Sequence, residues 1–373
     1  MRLPSFALER YFSRHEFNVE LLLCGSDCES MSVRDLLEME PGAREKLHRH
    51  WLGYTESQGS PSLRNEICRL YGTVESGHVL VHSGAEEAVF LFMHAMLDRG
   101  DHLVVHWPCY QSLHEVARGI GCRVTPWMAR EEDGWALDVE ELRRALRGNT
   151  KAIVINTPHN PTGYRMPLET FRETIRIADE NGIILFSDEV YRGLEYRSAD
   201  RLPAACDMSE QAVSLGVMSK TYGLAGLRIG WIATRRGEVL SRMAALKDYT
   251  TICNSAPSEL LAEVALRHGD AIAERNRGII AGNLALLDGF FERHADSFSW
   301  QRPKAGPIAF PRLLCGEVDA FCGSLVKASG VLLLPGTVYE DRENHFRIGF
   351  GRRSMPDAVA RLEEFLRDRP VAR

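Results

Sequence analysis

From residue 78 onward the chain alternates short apolar runs with segments of helical spacing, and this alternation limits the fold more than any other feature. Seven runs, many of them rich in β-branched residues, predict strands at 78–82, 102–106, 122–126, 152–156, 183–187, 212–217 and 229–234. Helices are predicted between them at 86–97, 112–118, 139–146 and 168–181. Because each strand, helix and strand forms a crossover connection, we expect an α/β fold with a mostly parallel, doubly wound sheet covered on both faces.

The pattern changes after residue 256. A long helical stretch at 257–293 is followed by short strand-like runs and a last helix, at 307–311, 331–334, 345–350 and 356–367. The first 45 residues have no place in the sheet pattern. We therefore expect a large domain of residues 46–256 and a smaller α+β domain that combines 1–45 with 257–373.

The composition excludes several classes of protein. Hydrophobic residues make up 45% and charged residues 26% of the 373 residues, as in ordinary globular proteins. A net charge of -6 gives no basic surface for nucleic acid, and no apolar run approaches the roughly 20 residues that cross a membrane. The nine cysteines form no Cys-x-x-Cys pair, and no signal peptide is evident. We expect reduced thiols, a cytoplasmic location and no metal site.

Four polar clusters follow predicted strands, at the sheet edge where open α/β folds bind their ligands. The first contains Gly84, Ala85 and Glu86 at the start of a helix. A glycine turn with free backbone N–H groups, together with the helix dipole, suits a phosphate. The alternative is an ordinary helix cap formed by Ser83.

The second and third clusters offer polar groups to a ring. At 156–163, two prolines and a glycine surround Asn160, and a rigid loop of this kind can hold its side chain ready to donate a hydrogen bond. At 187–191, Asp188 and Tyr191 come just after a buried strand, where a carboxylate is costly unless it has a partner such as a protonated ring nitrogen. The alternatives are a simple strand-to-helix turn and a surface cap.

The fourth cluster, at 219–228, begins with Ser219 and Lys220 and ends with Arg228. A desolvated lysine can act as a Schiff-base nucleophile, and an arginine offers a forked donor to phosphate. The alternative is an exposed lysine in a glycine-rich loop. Together the four clusters supply partners for the phosphate, ring nitrogen, ring hydroxyl and aldehyde of pyridoxal 5′-phosphate (PLP).

These motifs resemble the class I/II aminotransferase family of fold-type I PLP-dependent enzymes over most of the chain. The resemblance rests on Asn160-Pro161-Thr162-Gly163, on Ser187-Asp188-Glu189-Val190-Tyr191, and on Ser219-Lys220 followed by Arg228, in this order and spacing. It implies the PLP-transferase fold, with the large domain binding the cofactor. It also implies an aminotransferase that acts on an L-amino acid through an external aldimine, with Cα deprotonation by Lys220.

The resemblance also implies a role for each matched residue. Lys220 would hold PLP as a Schiff base, Asp188 would pair with the ring nitrogen, and Asn160 and Tyr191 would bond the ring hydroxyl group, Asn160 also lying beside the substrate. The other matches are Tyr110 stacked on the ring, Gly84, Ala85, Glu86 and Arg228 around the phosphate, and Arg347 on the substrate α-carboxylate. Tyr54 would reach the phosphate of a neighbouring subunit, which implies a homodimer with active sites at the subunit interface, a small-molecule substrate and neither nucleic acid nor membrane as partner.

Two departures from the family pattern bear on the reaction. The serine that the family places three residues before the lysine is Val217 here, so Ser219 or Thr250 would replace it or one hydrogen bond would be missing. The N-terminal loop Gly25-Ser26-Asp27 lacks the family's proline. With the segment around Glu9, this loop resembles a subgroup that cyclises hydroxylated arginines, the capreomycidine and enduracididine type. In that alternative the carboxylates of Glu9, Asp27 and Glu29 would bind a cationic side chain rather than serve as surface caps.

Two further alternatives remain at this point. A PLP-binding transcription regulator would need a basic DNA-binding domain, and the 45 residues ahead of the family-like core show no helix-turn-helix. A carbon–sulfur lyase would use the same cofactor site, because the residues that bind PLP do not by themselves choose the bond that breaks.

Overall fold

A seven-stranded sheet forms the centre of the structure, a computed structural model that describes residues 3–368. The described strands are β1 (Leu21–Leu22), β2 (Val79–His82), β3 (His102–Trp107), β4 (Arg123–Met128), β5 (Thr150–Asn156), β6 (Ile184–Asp188), β7 (Ala212–Val217), β8 (Gly230–Ala233), β9 (Phe298–Ser299), β10 (Ile308–Ala309), β11 (Arg312–Leu313), β12 (Val331–Leu332), β13 (Leu334–Pro335) and β14 (Phe346–Gly349).

Helices surround this sheet. They are α1 (Ala7–His15), α2 (Val33–Glu38), α3 (Ala43–His48), α4 (Pro61–Cys68), α5 (Gly84–Met96), α6 (Ser112–Ile120), α7 (Val139–Ala145), α8 (Leu168–Glu180), α9 (Ala205–Met208), α10 (Gly237–Lys247), α11 (Ala256–Arg267), α12 (Gly269–Arg293), α13 (Val318–Ser329) and α14 (Met355–Asp368). Short 3₁₀ turns include Glu131–Asp133 and Gly336–Tyr339. Within the described residues, no helix is both long and apolar enough to span a lipid bilayer.

The central sheet has the strand order β2-β8-β7-β6-β5-β3-β4, and only β8 runs against its neighbours. The predicted parallel α/β sheet is therefore confirmed, and each of its seven strands lies within two residues of the predicted bounds. Successive side chains point to opposite faces of the sheet. Val154 and Phe186 pack in one core cluster with Phe92 of α5, while Ile153 packs in a second cluster with Phe171 of α8.

Two details of the predicted pattern are wrong. The strands are not all covered on both faces, because β4 is an edge strand with a single neighbour and Arg123 and Pro126 are exposed. The stretch at 257–293 is two helices rather than one. His268 leaves the helical conformation between α11 and α12, and the chain then passes so close to Tyr222 that a Cβ atom at Gly269 would lie 3.1 Å from its ring.

The N-terminal segment joins the C-terminal part of the chain. β1 pairs in parallel with β12, and a separate sheet has the order β10-β14-β13. The tyrosine hydroxyl group of Tyr11 in α1 donates to the Leu333 carbonyl group. These contacts support the predicted division between 46–256 and the remainder, which stays a proposal. They also carry α1 and β14 to the edge of the central sheet where β5, β6 and β7 end.

Candidate active site

A cavity of about 440 Å³ lies at the carboxyl ends of the central strands. It collects residues from every polar cluster that the sequence singled out, from the N-terminal helix and from β14. The predicted residues that line it are Glu9, Gly25, Ser26, Asp27, Ala85, Glu86, Tyr110, Asn160, Asp188, Tyr191, Ser219, Lys220, Arg228 and Arg347. Residues that lie far apart along the chain thus share one cavity because parallel strands end at one edge of the sheet.

Lys220 follows β7 by three residues, and its Nζ atom donates a hydrogen bond to Ser26 Oγ at 2.8 Å. Burial lowers the pKa of the Lys220 amine, and the nearby Arg347 lowers it further, against the opposing effects of Asp27 and Asp188. The neutral amine is the form that attacks an aldehyde and that accepts a proton.

Asp188 is the last residue of β6, and its Oδ1 atom accepts the Val190 backbone N–H group at 3.2 Å. Burial raises the pKa of Asp188 to about 7. A cation beside this carboxylate would stabilise its ionised form and lower that pKa. The Tyr191 side chain is 1% exposed, and its hydroxyl group has no hydrogen bond of good geometry with the described residues.

The turn before α5 is built around Arg228. Gly84 has φ +82, and a Cβ atom there would lie 2.4 Å from Arg228 Nη2. A Cβ atom at Gly230 would lie 2.7 Å from the backbone of Gly84. Ser83 does not cap the helix; its backbone N–H group donates to Glu87 Oε2 instead, so the ordinary-cap alternative is wrong. The missing side chains let the guanidinium group and the first turn of the helix approach each other.

Arg347 on β14 is held on several sides. Its Nε and Nη2 atoms donate to the Cys24 carbonyl oxygen at 3.1 and 2.8 Å, and Nη1 donates to Asn160 Oδ1 at 3.2 Å. Nη1 also reaches the Tyr339 hydroxyl oxygen at 2.5 Å. The side chain is 1% exposed, so its charge is directed at the cavity rather than at bulk water.

Helix α1 forms one wall of the cavity, called its roof below. The hydroxyl group of Tyr110 donates to Glu9 Oε1 at 2.9 Å, and the Phe12 ring lies 5.8 Å from the guanidinium carbon of Arg347. Glu16 also lines the cavity, and burial raises the pKa of its carboxyl group. Glu9, one of the carboxylates expected to bind a cationic group, therefore lines the cavity. Glu16, which was not expected, lines it as well.

The other two expected carboxylates already have partners. Asp27 forms a two-point ion pair with Arg352, with an Nη2–Oδ2 distance of 2.8 Å. Glu29 accepts the backbone N–H group of Arg353 and does not line the cavity. Asp27 therefore lines the cavity with its charge already balanced by Arg352, whereas Glu29 lies outside the cavity, held by a backbone donor from the segment after β14.

The structure shows which residues border the cavity near Val217, the position where the family has a serine. Val217 lines the cavity, and so does Ser219. Thr250 does not, because its hydroxyl group donates to Glu87 Oε1 at 2.6 Å. Of the two proposed replacements, only Ser219 borders the cavity. Tyr54 also lies outside the cavity of its own chain, with 83% of its surface exposed.

The arrangement fits PLP group by group. A lysine amine of lowered pKa suits the aldehyde, a carboxylate at the end of a buried strand suits a ring nitrogen, and the buried Tyr191 hydroxyl group can donate to a ring oxygen. Arg228 lies directly against Gly84, so its guanidinium group and the free backbone N–H groups at the start of α5 together suit a phosphate.

Sequence reasoning missed three residues that line or support the cavity: Glu16, Arg352 and Tyr339. Glu16 carried a usable signal, because it lies seven residues after Glu9 and so on the same face of a helix. Arg352 and Tyr339 had none, since only the tertiary structure brings them to Asp27 and to Asn160.

Comparison with known proteins agrees with this site. The family described as aminotransferase class I and II matches residues 21–362. The chain is 29% identical to capreomycidine synthase of Streptomyces vinaceus, over 98% of this chain and 94% of that protein. The structure also resembles a PLP-dependent aminotransferase from Streptococcus suis, with a TM-score of 0.93, 32% identity and 100% of both chains covered. It resembles the PLP-dependent cyclase OrfR as well, with a TM-score of 0.90, 30% identity and coverage of 99% and 98%. The match over most of the chain shows that this protein belongs to the class I and II aminotransferase family, with the fold-type I architecture and the PLP cofactor of that family.

Proposed function

We propose that this protein acts on the α-amino group of an L-amino acid with a cationic side chain, and that Lys220 removes the Cα proton. One observation carries the proposal: Lys220, Asp188 and Arg347 line a single cavity whose roof bears the carboxylates of Glu9 and Glu16. The first candidate reaction is transamination to a keto acid, which is the reaction of the family.

Arg347 and Lys220 have separate roles in this reaction. Bound PLP supplies an aldehyde for the substrate amine and a ring that withdraws electrons from Cα. Arg347 binds the α-carboxylate and fixes the direction of the Cα–H bond. The Lys220 amine, whose pKa is lowered by burial, accepts the Cα proton.

Asp188 and Tyr110 support that step. A carboxylate at the end of β6 stabilises a protonated ring nitrogen through a charge-assisted hydrogen bond. Tyr110 presents its ring to the cavity while its hydroxyl group is held by Glu9. Helix α1 limits the access of water, which strengthens the electrostatic interactions inside.

Cyclisation of a hydroxylated arginine is the second candidate. Two observations favour it. The carboxylates of Glu9 and Glu16 line the cavity, where they suit a cationic substrate side chain. Arg352, the cation that an acidic substrate side chain would need, is already paired with Asp27. The likeness to capreomycidine synthase covers 98% of the chain and so includes the N-terminal segment. In this reaction the same Cα proton is removed, and a leaving group then departs from the side chain.

A substrate screen separates the candidates. The holoenzyme is mixed with L-arginine, hydroxylated arginines, and aromatic and acidic amino acids, while the cofactor absorbance and the product masses are followed. A keto acid together with the amine form of the cofactor supports transamination; a product that has lost water but kept its nitrogen supports cyclisation. Release of ammonia and thiol from a sulfur amino acid would point to a lyase instead.

Lys220→Ala is the control for the catalytic assignment. It removes the amine that holds the cofactor and accepts the proton, so the visible band of the bound cofactor and the turnover should both disappear. A band and a turnover rate that survive this substitution would refute the assignment of Lys220.

A further inference from the structure

The Tyr339 hydroxyl group joins two side chains of the site from behind. It donates to Asn160 Oδ1 at 3.0 Å and accepts Arg347 Nη1 at 2.5 Å. Tyr339 is 3% exposed and does not line the cavity. Its ring packs edge-on against Phe310, with 5.9 Å between ring centroids. The hydroxyl group is therefore placed by its packing and contacts the site only through these two partners.

These contacts determine which way the Asn160 amide points. The guanidinium group of Arg347 is a donor only, so the Asn160 atom that faces Nη1 must be the oxygen. The Tyr339 hydroxyl proton goes to the same oxygen. The two donors together turn the Asn160 NH₂ group away from Arg347, toward the cavity that Asn160 lines. An NH₂ group in that position can only donate, as a ring oxygen requires.

The same hydroxyl group limits the donors that Arg347 can offer. A guanidinium group has five N–H bonds. Two of them point to the Cys24 carbonyl oxygen and two more reach Asn160 and Tyr339. The guanidinium plane is thus fixed on both edges. Loss of the Tyr339 hydroxyl group would remove one of the two contacts that fix the Nη1 edge of the guanidinium plane, and would leave Asn160 Oδ1 with one donor in place of two.

Because Tyr339 lies in the Gly336–Tyr339 turn and Asn160 in the loop after β5, the hydroxyl group also links the C-terminal part of the chain to the central sheet. We propose that Tyr339 is a positioning residue that couples cofactor binding through Asn160 to substrate carboxylate binding through Arg347. This inference rests on the proposed role of Arg347 as the carboxylate clamp.

The first test measures the affinity for PLP. Tyr339→Phe keeps the ring and removes only the hydroxyl group, so the PLP dissociation constant of the apoenzyme should rise about three- to tenfold. In an Asn160→Ala background the same substitution should have no further effect, because the amide that it orients is gone. An unchanged PLP dissociation constant, or an effect of equal size in both backgrounds, would overturn the inference.

The second test separates the carboxylate from the rest of the substrate. L-arginine and its decarboxylated amine, agmatine, are titrated into holoenzyme. Tyr339→Phe should weaken binding of L-arginine about tenfold and that of agmatine less than twofold. Equal weakening of both would mean a merely structural role for Tyr339 and would count against the inference.

Tyr196→Phe and Arg347→Gln serve as controls for these two measurements. Tyr196→Phe is the matched control, because it removes a hydroxyl group that donates to the Gly306 carbonyl oxygen at 3.0 Å without contacting Arg347 or Asn160. Arg347→Gln tests the proposed function separately. If Arg347→Gln weakens the binding of L-arginine no more than the binding of agmatine, the carboxylate clamp is wrong, whereas the PLP measurements still decide whether Tyr339 acts through Asn160.

Discussion

At the scale of single residues, burial decides the chemistry of the site. Lys220 is half-buried and Asp188 is buried, so burial opposes the charge of each and moves their pKa values toward each other. A surface lysine and a surface aspartate would be permanently charged at neutral pH. Burial at the cavity instead lowers the pKa of Lys220 and raises that of Asp188, whose ionised form a cationic partner would stabilise.

Gly84 should be essential for cofactor binding. Gly84→Ala would place a Cβ atom 2.4 Å from Arg228 Nη2 at a residue with φ +82, so both space and backbone conformation oppose it. We expect PLP to bind at least about tenfold more weakly, as measured by titration of the apoenzyme. Gly77→Ala is the control, since nothing lies within 4 Å of its Cβ position. Equal PLP affinity in both variants would contradict this role of Gly84.

His345 should make stability depend on pH. Burial by itself lowers the pKa of its imidazole, but hydrogen bonds to Asp341 and Glu131 outweigh it and raise the pKa above the usual value; Arg312 is paired with the same Glu131. A raised pKa in the folded state means that the stabilisation is complete below about pH 6.5 and is lost as the pH rises through the folded-state pKa.

His345→Gln tests this dependence. The variant should unfold more easily than the wild type at pH 6, by roughly 1–3 kcal/mol, and the difference should shrink toward pH 9. Urea unfolding at several pH values measures it. A difference that is constant across this range would show that the imidazole charge contributes nothing.

At the scale of elements, α1 shows how tertiary contacts hold a helix that is short by itself. Its nine residues begin without a side-chain cap, and the Ala7 backbone N–H group is satisfied by Gln111 Oε1. Leu8 is buried, and the Tyr11 hydroxyl group reaches the Leu333 carbonyl oxygen. A helix of this length is marginal in water, so its packing on the rest of the chain keeps Glu9 above the cavity.

The carboxylates of Glu9, in α1, and of Glu16, directly after it, should select the substrate side chain. Glu9→Gln and Glu16→Gln each remove a negative charge from the cavity roof, so KM for L-arginine or a hydroxylated arginine should rise about three- to thirtyfold while kcat changes less. Steady-state kinetics with a cationic and a neutral amino acid measures the difference. Glu20→Gln, at an exposed surface ion pair with Arg361, is the control. Unchanged KM values in both variants would remove the basis for a cationic substrate.

At the scale of the whole molecule, five large apolar side chains are exposed near one another along two joined segments. Trp51, Leu52 and Tyr54 belong to one segment, and Tyr249 and Ile252 to the other. The two segments are linked where the Thr55 hydroxyl group meets the Asn254 carbonyl oxygen. Exposed apolar groups of this kind are typical of surfaces that bind another chain, and the homodimer stays a prediction.

Substitution in this patch should therefore shift the oligomeric state. The double variant Trp51→Glu with Leu52→Glu places two charges in the expected interface, so sedimentation velocity should find a larger monomer fraction than in the wild type. Phe17→Glu alters a side chain that is 89% exposed elsewhere and is the control. Wild-type protein that sediments as a monomer would end the homodimer expectation and with it the role given to Tyr54.

Much of the fold followed from local pattern. The seven central strands were predicted within two residues because an apolar run between turn residues is a local signal. The break at His268 was missed although Gly269 directly after it is a local sign of one, because a single glycine within a helical pattern is often tolerated. The edge position of β4 was missed because strand order is a property of the assembled sheet.

The site divides in the same way. The sequence by itself predicted most of the polar residues that line the cavity, because they follow strands and the ends of parallel strands meet at one edge of the sheet. Only the tertiary structure decided which carboxylates face the cavity, since Arg352 reaches Asp27 from a segment more than three hundred residues away. It also decided the contacts of Tyr339, which joins Arg347 to Asn160. Charges and hydrogen bonds act through space, so their partners become defined only when distant segments pack together.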